Sequence, residues 1–172
     1  MLKIFIANLG LYTKGHLVGK WIELPIDDDE LEKVFKEIKI DAENKEYCIT
    51  DCECGISRLT KKLKEYKSIE ELNEIAERLE PLSEHEIFKL LSMFEIVYYE
   101  NIIEYFDSID EWHLFEDIYD LYSLGYLFAN EWNCLEIPDN LEPYFDYEKY
   151  GRDINLECRG GFTEDGYLWS NY

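Results

Sequence analysis

The sequence is poor in basic residues: 17 Lys and Arg stand against 39 Asp and Glu in 172 residues, which gives a net charge of −22. A charge of this size excludes non-specific binding to nucleic acid or to an anionic membrane, because like charges repel. The natural partner is a basic protein surface. The shortage is most severe after residue 100, where Lys149, Arg152 and Arg159 stand against 17 acidic residues.

Long apolar runs and secretory features are also scarce. No run approaches the roughly 18–20 apolar residues of a membrane span. Met1 leads directly into an alternating pattern, so we expect no signal peptide and a cytoplasmic protein. The five cysteines are an odd number, which favours free thiols over a disulfide framework. Hydrophobic residues (47%) and aromatic residues (16%) are abundant enough for a folded core.

The N-terminal pattern predicts strands. Residues 2–7 alternate as a strand does, and residues 21–24 follow as a second strand after a loop with three glycines. The spacing of Gly10, Gly15 and Gly19 matches no phosphate-binding motif. We therefore interpret these glycines as turn residues, for which a positive φ is allowed.

Helices are predicted next. The acidic run 27–30 precedes apolar residues at helical spacing. It has two compatible interpretations, an N-terminal cap that complements the helix dipole or an extension of a functional acidic surface. Capping-box sequences at 68–71 and 83–86 begin two further helices. Residues 68–106 are thus predicted to form a small helical unit.

The segment Glu100–Leu121 contains eight acidic residues and no Lys or Arg. Ser108 and Glu111 have capping-box spacing, which predicts that a helix begins there. On that helix, aromatic residues, Tyr119 among them, would share one face and acidic residues the other. Neighbouring acids on a helix repel each other. A sequence selected only for stability would alternate them with lysines, so we interpret the acidic face as functional.

A third strand is predicted over residues 47–54, with Cys48, Cys52 and Cys54 on one face. Their C-x3-C-x-C spacing is unusual for zinc, and a strand holds such ligands too far apart. The other possible ligands are isolated in the sequence: His16, His85, His113, Cys134 and Cys158. We expect no metal and no cofactor. The basic segment 58–67 is interpreted as a solvated helix face or a connector.

No pattern indicates catalysis. Carboxylates are abundant, but no pair stands out as an acid–base dyad. The sequence contains no G-x-S-x-G, no H-E-x-x-H and no EF-hand loop. His113 is interpreted as a position on the amphipathic helix. We therefore expect a binding protein that is not an enzyme.

The charge is of the right size for an imitation of DNA. Duplex DNA carries one charge per about 1.7 Å of axis, so 22 net charges match about 37 Å of duplex. Carboxylates one helical turn apart lie about 5–6 Å from each other, which is similar in scale to phosphates along a strand.

Three motifs point to a family. They are Ile6-Ala7-Asn8-Leu9-Gly10-x-Tyr12-x-x-Gly15-x-Leu17-Val18-Gly19-x-Trp21, Ser68-Ile69-x-Glu71-Leu72-Asn73 and Tyr144-x-Asp146-Tyr147-x-x-Tyr150-Gly151-Arg152-Asp153. In these motifs, and over nearly its whole length, the sequence resembles ArdA-type antirestriction proteins. The resemblance implies a protein usually carried by mobile elements. It would form a homodimer, mimic bent B-form DNA and occupy the DNA-binding groove of type I restriction–modification enzymes.

The resemblance also implies an elongated α+β chain of three small domains. We expect an N-terminal domain (1–62) with a small β-sheet and a helix, and a central helical domain (63–104). The C-terminal α+β domain (105–172) would combine helices with a short sheet and carry the dimerisation surface. An alternative to DNA mimicry is an acidic adaptor or chaperone-like module for another basic protein. An enzyme or metal-binding protein is a third alternative.

We assign the sites as two sets of residues. The DNA-mimicking surface is assigned to eleven acidic residues: Asp27, Asp28, Asp29, Glu100, Glu104, Asp107, Asp110, Glu111, Glu116, Asp117 and Asp120. The resemblance places a short antirestriction motif on residues 131–146 and implies a dimer interface there. The apolar residues of that interface are Trp132, Leu135, Ile137, Leu141, Tyr144 and Phe145.

Overall fold

The computed structural model describes residues 2–41, 44–65, 68–132 and 135–170. The chain divides into two compact units, residues 1–82 and residues 83–172. Each contains a three-stranded antiparallel sheet with helices, which confirms the predicted α+β class. The three-domain division is not confirmed, because residues 63–104, predicted as a central domain, are shared between the two units.

The sheet of the first unit has the strand order β2-β1-β3. Its strands are β1 (Leu2–Asn8), β2 (Gly19–Leu24) and β3 (Tyr47–Glu53). The predicted alternation of β1 is confirmed, since Leu2, Ile4 and Ile6 are buried. Burying such side chains contributes roughly 1.5–3 kcal/mol each, which is the main reason for the register of this strand.

The described residues of the first unit also form four helices: α1 (Leu9–Tyr12), α2 (Asp28–Glu37), α3 (Ser57–Leu63) and α4 (Ile69–Leu79). The predicted starts of α2 and α4 are confirmed, because the side chains of Asp27 and Ser68 accept hydrogen bonds from backbone N–H groups in the first turn. Among the three glycines, Gly15 has the expected positive φ, +84°. Gly10 instead lies in α1 and Gly19 in β2, so the turn interpretation is wrong for them.

The prediction that the cysteines near β3 share one face of the sheet is wrong. Cys48 lies opposite Ala7 of β1 and Cys52 lies opposite Ile4, and these two β1 residues point to opposite faces. The reason is a β-bulge: Phe5 pairs with Asp51 and Ile6 with Ile49, which leaves Thr50 as an extra residue in β3. An extra residue in a strand moves every side chain beyond it to the opposite face of the sheet.

The sheet of the second unit has the strand order β4-β6-β5, and its central strand is buried along its whole length. The helices and strands of this unit are α5 (Glu84–Ile96), α6 (Ile102–Asp107), β4 (Trp112–Phe115), α7 (Leu121–Tyr126), α8 (Tyr147–Glu157), β5 (Arg159–Thr163) and β6 (Gly166–Ser170). Short 3-10 turns lie at Ile109–Glu111 and Glu142–Tyr144, and a π-helix, Leu127–Glu131, follows α7 directly. The predicted capping box at Ser83 and Glu86 is formed. Strands β5 and β6 form a hairpin with its turn at Glu164-Asp165.

The prediction that a helix begins at Ser108 is wrong. The Ser108 hydroxyl donates to the carbonyl of Glu104 (2.7 Å) and so closes α6 rather than capping a new helix. A single 3-10 turn follows, and Trp112–Phe115 is strand β4, paired with β6. Four residues are too few for helical and alternating periodicity to be distinguished. Pairing with a strand more than fifty residues away decided the outcome.

Two glycines bring α7 and α8 into backbone contact. A Cβ placed on Gly125 would lie 1.9 Å from the carbonyl oxygen of Tyr147, and one placed on Gly151 would lie 1.9 Å from that of Leu121. No side chain fits at either position. Around this crossing, Leu124, Phe128 and Ile154 join the buried core of the second unit.

Candidate functional site

Charge is distributed very unevenly between the two units. Residues 1–82 carry 18 acidic and 13 basic residues, whereas residues 83–172 carry 21 acidic and 4 basic ones. The net charges are therefore −5 and −17. Between Lys89 and Lys149 the sequence contains 15 acidic residues and no Lys or Arg. The acidic character belongs mainly to the second unit.

In the first unit, lysine and arginine side chains pair with acids of the same unit. The N···O distances are 2.7 Å for Lys3–Glu23, 2.5 Å for Lys20–Glu37, 3.6 Å for Lys36–Glu32, 3.2 Å for Lys62–Glu65, 2.9 Å for Lys64–Asp51 and 3.6 Å for Arg78–Glu74. The hydrogen bond from Lys64 lowers the pKa of Asp51 below its usual value. Because these pairs are exposed, each adds little stability, but together they offset much of the local negative charge.

In the second unit, ion pairs cannot offset the negative charge in this way, because four Lys and Arg side chains cannot neutralise 21 carboxylates. Arg152 lies 3.8 Å from Asp153, its neighbour in the sequence. His85 pairs with Glu116, which ties the loop after β4 to the first turn of α5. The remaining negative charge therefore produces a negative electrostatic potential around this unit, which attracts basic surfaces and repels acidic ones.

All eleven acidic residues assigned to the functional surface are exposed. The structure does not place the eight of Glu100–Asp120 on one helix. They lie on the α5–α6 connection, on α6, in the 3-10 turn 109–111 and in the loop that precedes α7. The other three lie at the start of α2, in the first unit.

Two of these acids also cap helices. Asp27 caps α2 by accepting from the N–H of Glu30 at 2.8 Å. Asp120 caps α7 by accepting from the N–H of Ser123 at 2.7 Å, and this hydrogen bond lowers the pKa of Asp120 below its usual value. Substitution of either residue by a non-capping side chain would therefore change a helix terminus as well as the surface charge.

The six residues assigned to a dimer interface differ in exposure. Leu141 and Tyr144 are 53% and 85% exposed, and Leu135 is also exposed. Ile137 is half-buried, and Phe145 packs against Tyr147 at a ring distance of 4.9 Å.

Trp132 belongs partly to the core of its own unit. Its ring contacts those of Phe115, Phe128 and Trp169 at centroid distances of 4.9–5.3 Å. Of the six residues assigned to a dimer interface, Leu141 and Tyr144 are thus the most exposed.

Among the described residues, no group of three or more His, Cys, Asp or Glu side chains is arranged to hold a metal ion. Burial raises the pKa of Cys48 and raises that of Cys52 to about 11, which makes both thiols poor ligands and poor nucleophiles. His113 lies on β4 rather than on a helix, with its ring 5.5 Å from that of Trp169. Cys134, considered above as a ligand, lies outside the described residues.

Tyr98 and Tyr119 are among the exposed tyrosines that were not recognised from the sequence. Tyr119 was predicted to lie on a packed aromatic face, but it is 59% exposed, and Tyr98 is 85% exposed. The predicted face was wrong because the helix that would have carried it is absent. Acidic residues close to both tyrosines in the sequence were the available signal.

The family model for antirestriction protein (ArdA) matches residues 4–169, nearly the whole chain. The chain belongs to the ArdA family. This confirms the resemblance found in the three sequence motifs. Membership in the ArdA family indicates an antirestriction function directed at restriction–modification enzymes, and places the chain among inhibitor proteins rather than enzymes. No curated protein matches the sequence.

The described part of this ArdA-family chain contains no helix that is both long enough and apolar enough to cross a membrane.

Proposed function

We propose that this protein is an acidic DNA mimic that binds the DNA-binding groove of type I restriction–modification enzymes and inhibits them by competing with DNA. The observation that carries the proposal is the charge of the second unit: 21 acidic against 4 basic residues, in an ArdA-family chain. Such an inhibitor acts in the cytoplasm, where the enzyme meets DNA.

The physical basis is electrostatic. A groove that binds DNA carries Lys and Arg side chains placed to neutralise phosphates. Phosphate contacts position a protein on DNA without reading its sequence. Exposed carboxylates can therefore occupy such a groove without imitating any base. The same charges raise the association rate by steering, an effect that salt weakens.

The second unit is the main contact surface in this proposal. Its acidic residues outnumber its basic residues about fivefold. Most of its carboxylates therefore cannot be neutralised within the unit and can attract a basic partner. Asp27, Asp28 and Asp29 would contribute separately from the first unit, where six Lys and Arg side chains already pair with acids.

The direct test is competition with DNA for the purified methyltransferase core of a type I enzyme. We expect nanomolar-scale displacement of labelled duplex at low salt, weakening steeply as salt rises. An unrelated acidic protein of similar size and net charge is the control. The proposal is wrong if an excess of the protein fails to displace DNA at low salt.

We also propose that the protein forms a homodimer through the surface that contains Leu141 and Tyr144. Two copies would extend the charge match to about 75 Å of duplex, roughly two helical turns. Leu141→Asp or Tyr144→Asp should shift the protein to the monomer, because a carboxylate would be buried against an apolar partner.

Analytical ultracentrifugation measures this shift. Leu156→Asp is the matched control, since Leu156 is an exposed leucine of the same unit outside the proposed interface. Dimers that persist in both variants would exclude this surface as the interface.

A further inference from the structure

The two exposed tyrosines noted above, Tyr98 and Tyr119, are each held by neighbouring residues. The Tyr105 hydroxyl donates to the carbonyl of Val97 (2.9 Å) and accepts from the N–H of Tyr99 (3.2 Å). The two hydrogen bonds fix the backbone on both sides of Tyr98. The ring of Tyr99 turns inward onto Tyr105 at 4.8 Å, while that of Tyr98 points to solvent.

Tyr119 is held in a similar way. The N–H of Ile118 donates to the carbonyl of Phe115 (3.2 Å), and the Ile118 side chain packs against the core of the second unit. On the other side, Asp120 caps α7. Neither Tyr98 nor Tyr119 has a hydrogen bond or ring contact from its side chain within the described residues. Because their backbones are already ordered, a partner would bind them at a reduced entropic cost.

Each ring has an exposed carboxylate close by in the sequence: Glu100 follows Tyr98 by two residues, and Asp117 precedes Tyr119 by two. An aromatic face and a carboxylate are the two groups that a guanidinium binds, the first by stacking and the second by charge-assisted hydrogen bonds. Among the described residues, Arg159 makes a contact of this kind, with its guanidinium 4.9 Å from the centre of the Trp112 ring.

No residue close in the sequence can supply a guanidinium to Tyr98 or Tyr119, because residues 90–148 contain no Lys or Arg. We propose that Tyr98 and Tyr119, each with its neighbouring carboxylate, bind arginine side chains of the partner protein. This inference rests on the proposed function. It adds arginine, rather than lysine, as the partner residue at two positions, because a planar guanidinium can stack and still donate from its edge.

The test compares Phe and Leu at both positions in competition with DNA for the methyltransferase core. Phe keeps the aromatic face, whereas Leu keeps only apolar area. We expect the Tyr98→Phe, Tyr119→Phe protein to bind within about twofold of the unchanged chain. The Tyr98→Leu, Tyr119→Leu protein should bind roughly tenfold more weakly, from a loss of about two- to fivefold at each ring.

Salt dependence adds a second measurement. The Leu substitutions change no charge, so the slope of log affinity against log salt should stay constant while the affinity falls. Tyr12→Leu is the matched control, because Tyr12 is 50% exposed in the first unit and has Lys14, not an acid, two residues away. Its affinity should not change.

The possible outcomes separate the two proposals. If the unchanged chain does not bind the methyltransferase core, the proposed function and this inference both fail. If it binds and the Leu protein binds as tightly as the Phe protein, only the inference fails. Sedimentation of the Leu protein distinguishes a further case: a change in its oligomeric state would assign the rings to an interface between copies and overturn the inference.

Discussion

Replacing Glu100, Glu104, Asp110, Glu111 and Asp117 together by Gln and Asn should weaken competition with DNA on the order of 30-fold at low salt. All five residues are exposed in the second unit. Individually they contribute little, because exposed charges are screened, so the effect requires their combined removal. The salt dependence of binding should also become shallower. Asp120 is left unchanged because it caps α7.

The first unit offers a control with the same change in net charge. Glu23, Glu32, Glu37, Glu65 and Glu74 are each paired with a Lys or Arg of their own unit. Changing these five to Gln should reduce affinity by no more than about threefold, because their charge is already offset. Equal losses in the two variants would mean that only total charge matters, which would contradict a defined contact surface.

Ala at Gly125 or Gly151 should destabilise the second unit by about 3 kcal/mol. Helix propensity alone predicts the opposite sign, since Ala is favoured over Gly by about 1 kcal/mol inside a helix. Sterics should prevail here, because the added Cβ would meet a backbone carbonyl at 1.9 Å and no rotamer change can relieve that contact. Urea denaturation followed by circular dichroism measures the difference.

Gly55→Ala is the control for this prediction. A Cβ at Gly55 would meet no heavy atom within 4 Å, so we expect a change within about 0.5 kcal/mol. Stability that is unchanged or increased in Gly151→Ala would contradict the close crossing of α7 and α8.

Much of the local structure was predictable because its signals are local. The acidic first turn of α2, the capping residues of α4 and α5 and the alternation of β1 all act within a few residues.

The errors have non-local causes. Trp112–Phe115 is a strand because β6 pairs with it, and a capping-box sequence at Ser108 could not reveal that partner. The cysteines of β3 change face because of a bulge that exists only in the pairing with β1. Propensity and spacing describe a segment by itself, whereas hydrogen bonds to distant strands have comparable or larger free energies.

The sequence by itself determined the family, through motifs spread over nearly the whole chain, and the excess of negative charge, which follows from composition alone. Tertiary structure decided how that charge is divided along the chain. It placed the boundary between Leu82 and Ser83, so that one unit carries −5 and the other −17. It also exposed Tyr98 and Tyr119 and required glycine at 125 and 151. Exposure and close approach depend on which distant segments pack together, so a local pattern such as neighbouring acidic residues cannot decide them.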